Sequence, residues 1–283
     1  MTSQHSDASD DGPSTLDLLW GVRGRPRRGP RPKLDLDAVL DAAIGVADAE
    51  GLEAVTMQRV ARELGFTTMS LYRYVQGKEQ LVELMTDAAL DAAPEPPGGA
   101  GWRDELRGWV RAMYAALLRR PWLLYAQMYG PPRGPRQLSW LEAAAGPLRR
   151  AGLGAEHTMA VASYLSISVM GMARVAAELR QVHEESGATH VQLDAGYTGV
   201  LRRAASTGRY PAIGALLAEE GPDGFGPPSE EGEAGAFGDL GPDLDFAVER
   251  LLDGVEAFTS APAGRKAPDG GDGADGADDP GHG

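Results

Sequence analysis

Between Thr56 and Lys78 the chain gathers side chains that suit a polyanion better than a protein core. Thr67, Thr68 and Ser70 carry hydroxyls that can bond to phosphates or to base edges, and Met69 can touch a thymine methyl. Tyr72, Arg73 and Tyr74 follow, and Arg73 alone among them has the planar fork that reads guanine bidentately. No Asn or Gln stands between Thr67 and Gln76, so strong base discriminators are few. Such a set needs a rigid element to present it and an apolar footing to hold that element.

The flanking residues supply both. Thr56 is a good N-cap, and Val60, Ala61 and Leu64 recur at helical spacing after it. Gly65 follows where a left-handed C′ residue costs glycine little, and Phe66 can pack back. With Thr67 or Thr68 as cap, a second helix is expected from about Met69 to Val75, burying little beyond Leu71 and Val75. Gly77 closes it, and Lys78 opens the next helix. A helix, a glycine turn and a helix with unburied polar groups is a helix-turn-helix pattern, although an ordinary helical hairpin has the same outline.

The spacing Thr56…Val60-Ala61…Leu64-Gly65…Leu71-Tyr72…Val75…Lys78…Leu81 resembles the DNA-binding domain of the TetR family of bacterial repressors. Its most specific piece is Leu71-Tyr72-Arg73-Tyr74-Val75-Gln76-Gly77-Lys78, and the likeness covers about Leu34 to Leu90. The resemblance implies that Thr56 and Gln58 meet phosphate, the latter sometimes a base. It puts Thr68, Met69, Ser70, Tyr72 and Tyr74 on the recognition helix, and makes Lys78 a phosphate-binding lysine. In that family the position of Arg73 often points away from the groove, and Tyr72 could also serve the core.

The net charge of -14 argues against nucleic acid only if averaged, because the charge is segregated. Arg23, Arg25, Arg27, Arg28, Arg31 and Lys33 make a cationic run without an acid, kept extended by glycine and proline. Extended arginine arms of this kind can enter a narrow minor groove, so Arg25, Arg27 and Arg28 join the expected DNA contacts. The Arg-Gly-Arg-Pro core also resembles an AT-hook; a solvated basic linker is the plainer alternative. The polar residues 1–13 do not read as a secretory signal, and no apolar run reads as long enough to cross a bilayer. The absence of cysteine excludes disulfides and thiolate metal sites and fits a cytoplasmic protein.

The expected organisation is all-α. A flexible N-terminal tail (1–33, with a possible helical piece at Leu16–Trp20) leads to a helix-turn-helix domain (34–92). Asp35 caps a first helix that Gly51 ends, and a fourth helix runs from Lys78 to Ala92. Pro94 to Gly101 marks a boundary, after which a bundle spans 101–260 with a mobile loop at 221–242, followed by a disordered acidic tail (261–283). The bundle has no nucleophile elbow, phosphate loop or pair of histidines at ligand spacing, so neither catalytic residues, a metal nor a cofactor is expected. His183 with Glu184 or His190 reads as a surface helix end before it reads as a metal site.

Aromatic and methionine side chains are dense in this bundle, and most suit core packing. TetR-like regulators hold an apolar cavity among these helices. The resemblance therefore implies a small hydrophobic effector touching Trp109, Met113, Trp122, Tyr125, Met128, Trp140, Tyr164 and Met170. The helix 155–182 is apolar on more than one face, and the resemblance makes it and 243–259 the interface of a homodimer. The reading is a ligand-responsive repressor of a palindromic double-stranded operator. An activator, an architectural DNA-binding protein using the arginine run and, more remotely, an enzyme built on the bundle are the alternatives.

Overall fold

The computed structural model describes residues 13–21, 34–95, 98–126, 131–187, 190–220 and 241–261; side chains at 190–195 and 220 are outside that description. The described residues are helical, without a strand. They form α1 (Thr15–Leu19), α2 (Leu36–Glu50), α3 (Met57–Leu64), α4 (Thr68–Leu71), α5 (Lys78–Ala89), α6 (Trp102–Arg119) and α7 (Pro135–Arg150). α8 (Ala155–Ser186), α9 (His190–Ser206), α10 (Pro211–Glu220) and α11 (Gly241–Ser260) complete the described α-helices.

Local chemistry sets the first helices. Asp35 accepts from the Ala38 amide at 2.9 Å and starts α2, which buries Val39, Leu40, Ala43, Ile44, Val46 and Ala47. The Thr56 hydroxyl accepts from Arg59 N at 3.1 Å and starts α3, whose Val60 and Ala61 face inward. At Gly65, φ is +70° and the Phe66 amide bonds back to Ala61 O at 2.9 Å, so a side chain here would be strained. α2 lies across α3 and α5, and the three share a core with Leu71, Val75, Leu81, Leu84 and Met85.

The second helix of the motif is shorter than expected. α4 ends at Leu71, and residues 72–74 continue as turns in which Tyr74 N and Val75 N both return to Leu71 O. Aromatic and β-branched residues gain little from helix here, while sinking Val75 into the core holds the turn. Thr67 takes the N-cap position, but its hydroxyl meets Ser70 Oγ at 3.0 Å rather than a backbone amide. Phe66 is 38% exposed and does not reach the core.

In the second half α6 lies against both α7 and α8. α8 buries one line only: Thr158, Ala162, Leu165, Val169, Ala173 and Ala176. Met159, Tyr164, Ile167, Val175 and Val182 are exposed on it, so among the described residues its second apolar face is uncovered. With 32 residues and a mean hydropathy of 1.4 over its most apolar window, α8 is long and apolar enough to cross a membrane. It reaches that measure by average over the helix, with no unbroken apolar run of spanning length: Glu156, Arg174, Glu178 and Arg180 interrupt it. Its buried line packs into the bundle instead.

α11 joins α6 through charge. Arg103, Arg107 and Arg111 recur every four residues on one helix, and Asp245, Glu249 and Asp253 on the other. Arg103 reaches Glu249 at 3.0 Å, Asp253 at 2.5 Å and Glu256 at 2.7 Å; Arg107 grips Glu249, and Arg111 meets Asp245 at 2.8 Å. The Arg107 hydrogen bond, helped by Arg103, holds the Glu249 carboxyl down at about 2 against partial desolvation. A carboxyl depressed in the folded state stabilises above its unfolded value near 4.5 and loses that contribution as pH falls towards 2. Glu249→Gln is therefore expected to lower the melting temperature at pH 7 and to flatten the acid-side loss between those values. Calorimetry of both proteins at pH 7 and pH 3 checks it; parallel curves would refute the role.

Candidate nucleic-acid interface

The short second helix of the motif presents the groups that the sequence singled out. Leu71 and Val75 are fully buried beneath it, and this footing leaves Met69 75% exposed and Tyr72 46% exposed. Thr56, Gln58, Thr67 and Arg73 are exposed, and Thr68 and Ser70 are half-buried. Lys78 is exposed in the first turn of α5, where Gly77 has no side chain with which to cap the amides. Uncapped amides, a positive helix end and an ammonium group together suit one phosphate. Thr56 already uses its hydroxyl on Arg59 N, so its capping bond fixes the start of α3.

Two residues are tied inward. Tyr74 is half-buried and donates its hydroxyl to Leu34 O at 2.6 Å, holding the residue that follows the basic run. Arg59 is neutralised by Glu50 at 2.6 Å and Glu63 at 2.7 Å, whose hydrogen bonds push its own pKa upward. Arg25, Arg27 and Arg28 lie outside the described residues.

Sequence reasoning missed the polar joint behind this surface. Asp87, buried on α5, accepts from Gln137 N at 2.9 Å and so caps the start of α7. In return the Arg136 guanidinium from α7 caps the end of α5, bonding to Ala88 O and, at 2.8 Å, to Leu90 O. Arg120 adds a bond to Ala89 O at 2.6 Å and pairs with Asp48 at 3.2 Å, and the Trp122 indole donates to Asp48 Oδ1 at 2.7 Å. The only sequence signal was an acid near one helix end and an arginine near another's start, a coincidence without the fold.

The described members of the expected effector set stand in different surroundings. Trp109 is buried, donates to Trp140 O at 2.9 Å and stands edge-on to the Trp140 ring at 6.2 Å. Trp140 donates in turn to Asp91 O at 2.9 Å, so both indoles tie helices together. Met113 and Met170 pack half-buried on the core. Tyr125 is half-exposed under the Arg174 guanidinium at 5.3 Å, and Tyr164 is 61% exposed on α8. Met128 lies outside the described residues. One cavity of about 260 Å³ is bordered by Arg111, Tyr114, Leu244 and Asp245. Another, of about 230 Å³, is bordered by Trp109 and Pro147 with Glu95, Asp104, Glu105 and Glu142. Of the expected residues Trp109 touches the second, and the other described ones touch neither. No group of three or more metal-ligating side chains occurs among the described residues.

Comparison with known proteins agrees with this geometry. Residues 39–85 match the family described as bacterial regulatory proteins, tetR family, and residues 93–258 match the tetracyclin repressor-like C-terminal domain. The HTH-type transcriptional repressor DrrR1 of Streptomyces coeruleorubidus is 36% identical over 268 residues, covering 94% of this chain and 93% of that protein. An HTH-type transcriptional regulator of Saccharopolyspora erythraea is 27% identical over 194 residues, covering 68% of this chain and 80% of that one. Among solved structures, the TetR family protein ActR of Streptomyces coelicolor, in complex with actinorhodin, superposes with a TM-score of 0.62. It is 24% identical, covering 82% of this chain and 99% of ActR, and at that identity the likeness speaks for the fold. From the helix-turn-helix to the end of the bundle, therefore, this chain belongs to the TetR family and is a DNA-binding regulator of transcription.

Proposed function

We propose that the chain is a homodimeric, cytoplasmic repressor that leaves a palindromic operator when a small hydrophobic effector binds. The observation that carries this is the outward set at Thr67, Met69, Tyr72, Arg73 and Lys78 over the buried Leu71 and Val75. Residues 34–92 would form the DNA-binding domain and 101–260 the sensor and dimer domain. Thr68, Met69, Ser70 and Tyr72 would enter the major groove; Thr56, Gln58 and Lys78 would meet its phosphates. Tyr74 would act chiefly through Leu34, and the run 23–33 would add phosphate contacts beside the motif.

The uncovered faces of α8 and α11, with Ile167, Tyr164, Phe246 and Phe258 exposed, support pairing of two copies. A two-fold pair would set its recognition elements about one DNA turn, roughly 34 Å, apart. The match of 93–258 to a tetracyclin repressor-like domain supports an effector, and the Trp109 cleft is the place to seek it.

The test is a salt-dependent titration of a duplex that the protein itself enriches from a random pool. Lys78→Ala should weaken binding across sequences and flatten the slope of log affinity against log salt by about 1 per protomer. An unchanged slope would remove Lys78 from the phosphate contacts. The basic run favours one other reading, architectural binding; near-equal affinity for enriched and random duplexes would select it.

A further inference from the structure

The matched family segments begin at residue 39, yet residues 14–20 are built onto the fold. Ser14 and Asp17 cap each other reciprocally: Asp17 N donates to Ser14 Oγ at 3.2 Å, and Ser14 N to Asp17 Oδ2 at 3.2 Å. Five helical residues cannot hold together alone, so α1 owes its shape to what it touches. It packs on α5, and Leu18 and Leu19 lie half-buried against the core.

Its two ends touch the two halves of the chain. At its start, Thr15 Oγ1 accepts from Gln80 Nε2 at 3.2 Å. Gln80 is buried, and its Oε1 accepts from Gln76 N at 2.7 Å, in the turn that leaves the recognition segment. At its end, the Trp20 indole donates to Arg133 O at 3.0 Å, one residue before the glycine that seats against Asp87. Arg133 in turn pairs with Glu83 on α5. Hydrogen bonds at the two ends of α1 therefore tie Arg133, just ahead of α7, through Trp20, and Gln76, through Gln80 and Thr15, to the same short helix.

We propose that α1 is a clasp across the joint between α5 and α7, with Trp20, Thr15 and Gln80 as positioning residues that fix the recognition segment relative to the bundle. It rests on the DNA-binding reading above and adds a second linkage beside the α5–α7 contact. A shift of α7 along α5 must either carry α1 with it or break the Trp20 bond, so the clasp favours the arrangement described here.

Trp20→Phe and Thr15→Val each remove one polar end with little change of shape. Each is expected to weaken binding of the enriched duplex about threefold to tenfold, the range of one hydrogen bond. The double variant should lose little more than the weaker-binding single one, because a clasp open at one end is already open. Base preference and salt slope should stay as in the parent protein. Wild-type affinity in both variants, additive losses, or a flattened slope (direct phosphate contact by α1) would overturn the proposal. Hydrogen exchange needs no DNA: amides at 76–81 and at 133–138 should both exchange faster in each variant. Acceleration confined to 14–20 would overturn the clasp. If the parent protein enriches no duplex, the DNA-binding reading fails and exchange still decides the clasp.

Discussion

Trp109→Ala is expected to cost about 3–5 kcal/mol, the range for emptying a buried aromatic site. Trp109 is 2% exposed in the middle of α6, and its ring meets Trp140 edge-on. Its indole N–H satisfies the Trp140 carbonyl at 2.9 Å, inside the bundle. Truncation therefore removes the ring, opens a cavity and leaves a buried acceptor without its donor. Trp109→Phe separates these effects, because it restores much of the volume and strands only the carbonyl, at about 1–3 kcal/mol. Denaturant titration of both variants orders them. Equal losses would mean that the hydrogen bond, not the ring, dominates; a loss under about 1 kcal/mol in the alanine variant would contradict the packing account. Native stabilities lie near 5–15 kcal/mol, so the larger loss removes a substantial share of the fold.

Gly134→Ala should also cost much of the stability, for a different reason. Gly134 has an ordinary backbone, with φ at −84°, so the demand for glycine is not conformational. An added Cβ would stand 2.1 Å from Asp87 Oδ1 and 2.8 Å from Asp87 Cβ, too close for a small adjustment of the carboxylate tip. Asp87 would have to swing out of its buried place, and the Gln137 amide would lose its acceptor. A buried charge without its partners and an uncapped α7 together should cost about 2–3 kcal/mol. Asp87→Ala in the same chain removes the carboxylate and leaves only the approach of the two Cβ atoms at 2.8 Å, so the double variant should lose clearly less than the two single losses added. Strict additivity in a double-mutant cycle would show that the two residues do not meet.

The helices themselves were legible because their signals are local. Asp35, Thr56, Gly51 and Gly65 act within four residues of themselves, and the apolar spacing of α2, α3 and α5 points at a core whatever lies opposite. The outward set on α4 could be read because Leu71 and Val75 leave no doubt about which side is down. Partners remote in sequence were not legible. Asp87 and Gln137, Asp48 and Trp122, and Trp20 and Arg133 become neighbours only when the chain has folded. The four-residue periods of Arg103, Arg107, Arg111 and of Asp245, Glu249, Asp253 do stand in the sequence, but spacing alone does not say which two helices meet. Residues 14–20 looked like part of a tail because a five-residue helix carries almost no propensity signal. The aromatic cluster suggested a cavity; that its indoles also tie remote segments together through Trp140 O and Asp91 O was not legible.

The reciprocal caps at the end of α5 have a consequence for anyone who would build hybrid regulators from this chain. The boundary proposed from the sequence lies near Pro94, and a cut there looks clean on paper. The mechanical seam is elsewhere: α7 contributes Arg136 to finish a helix of the first half, and α5 contributes Asp87 to begin a helix of the second. A graft made at Pro94 carries each helix away from the residue that closes it. A module that transfers intact must bring 133–137 with α5, or Asp87 and the helix end at 88–90 with the bundle, so the interchangeable unit is a pair of interlocked helix ends rather than a stretch of sequence.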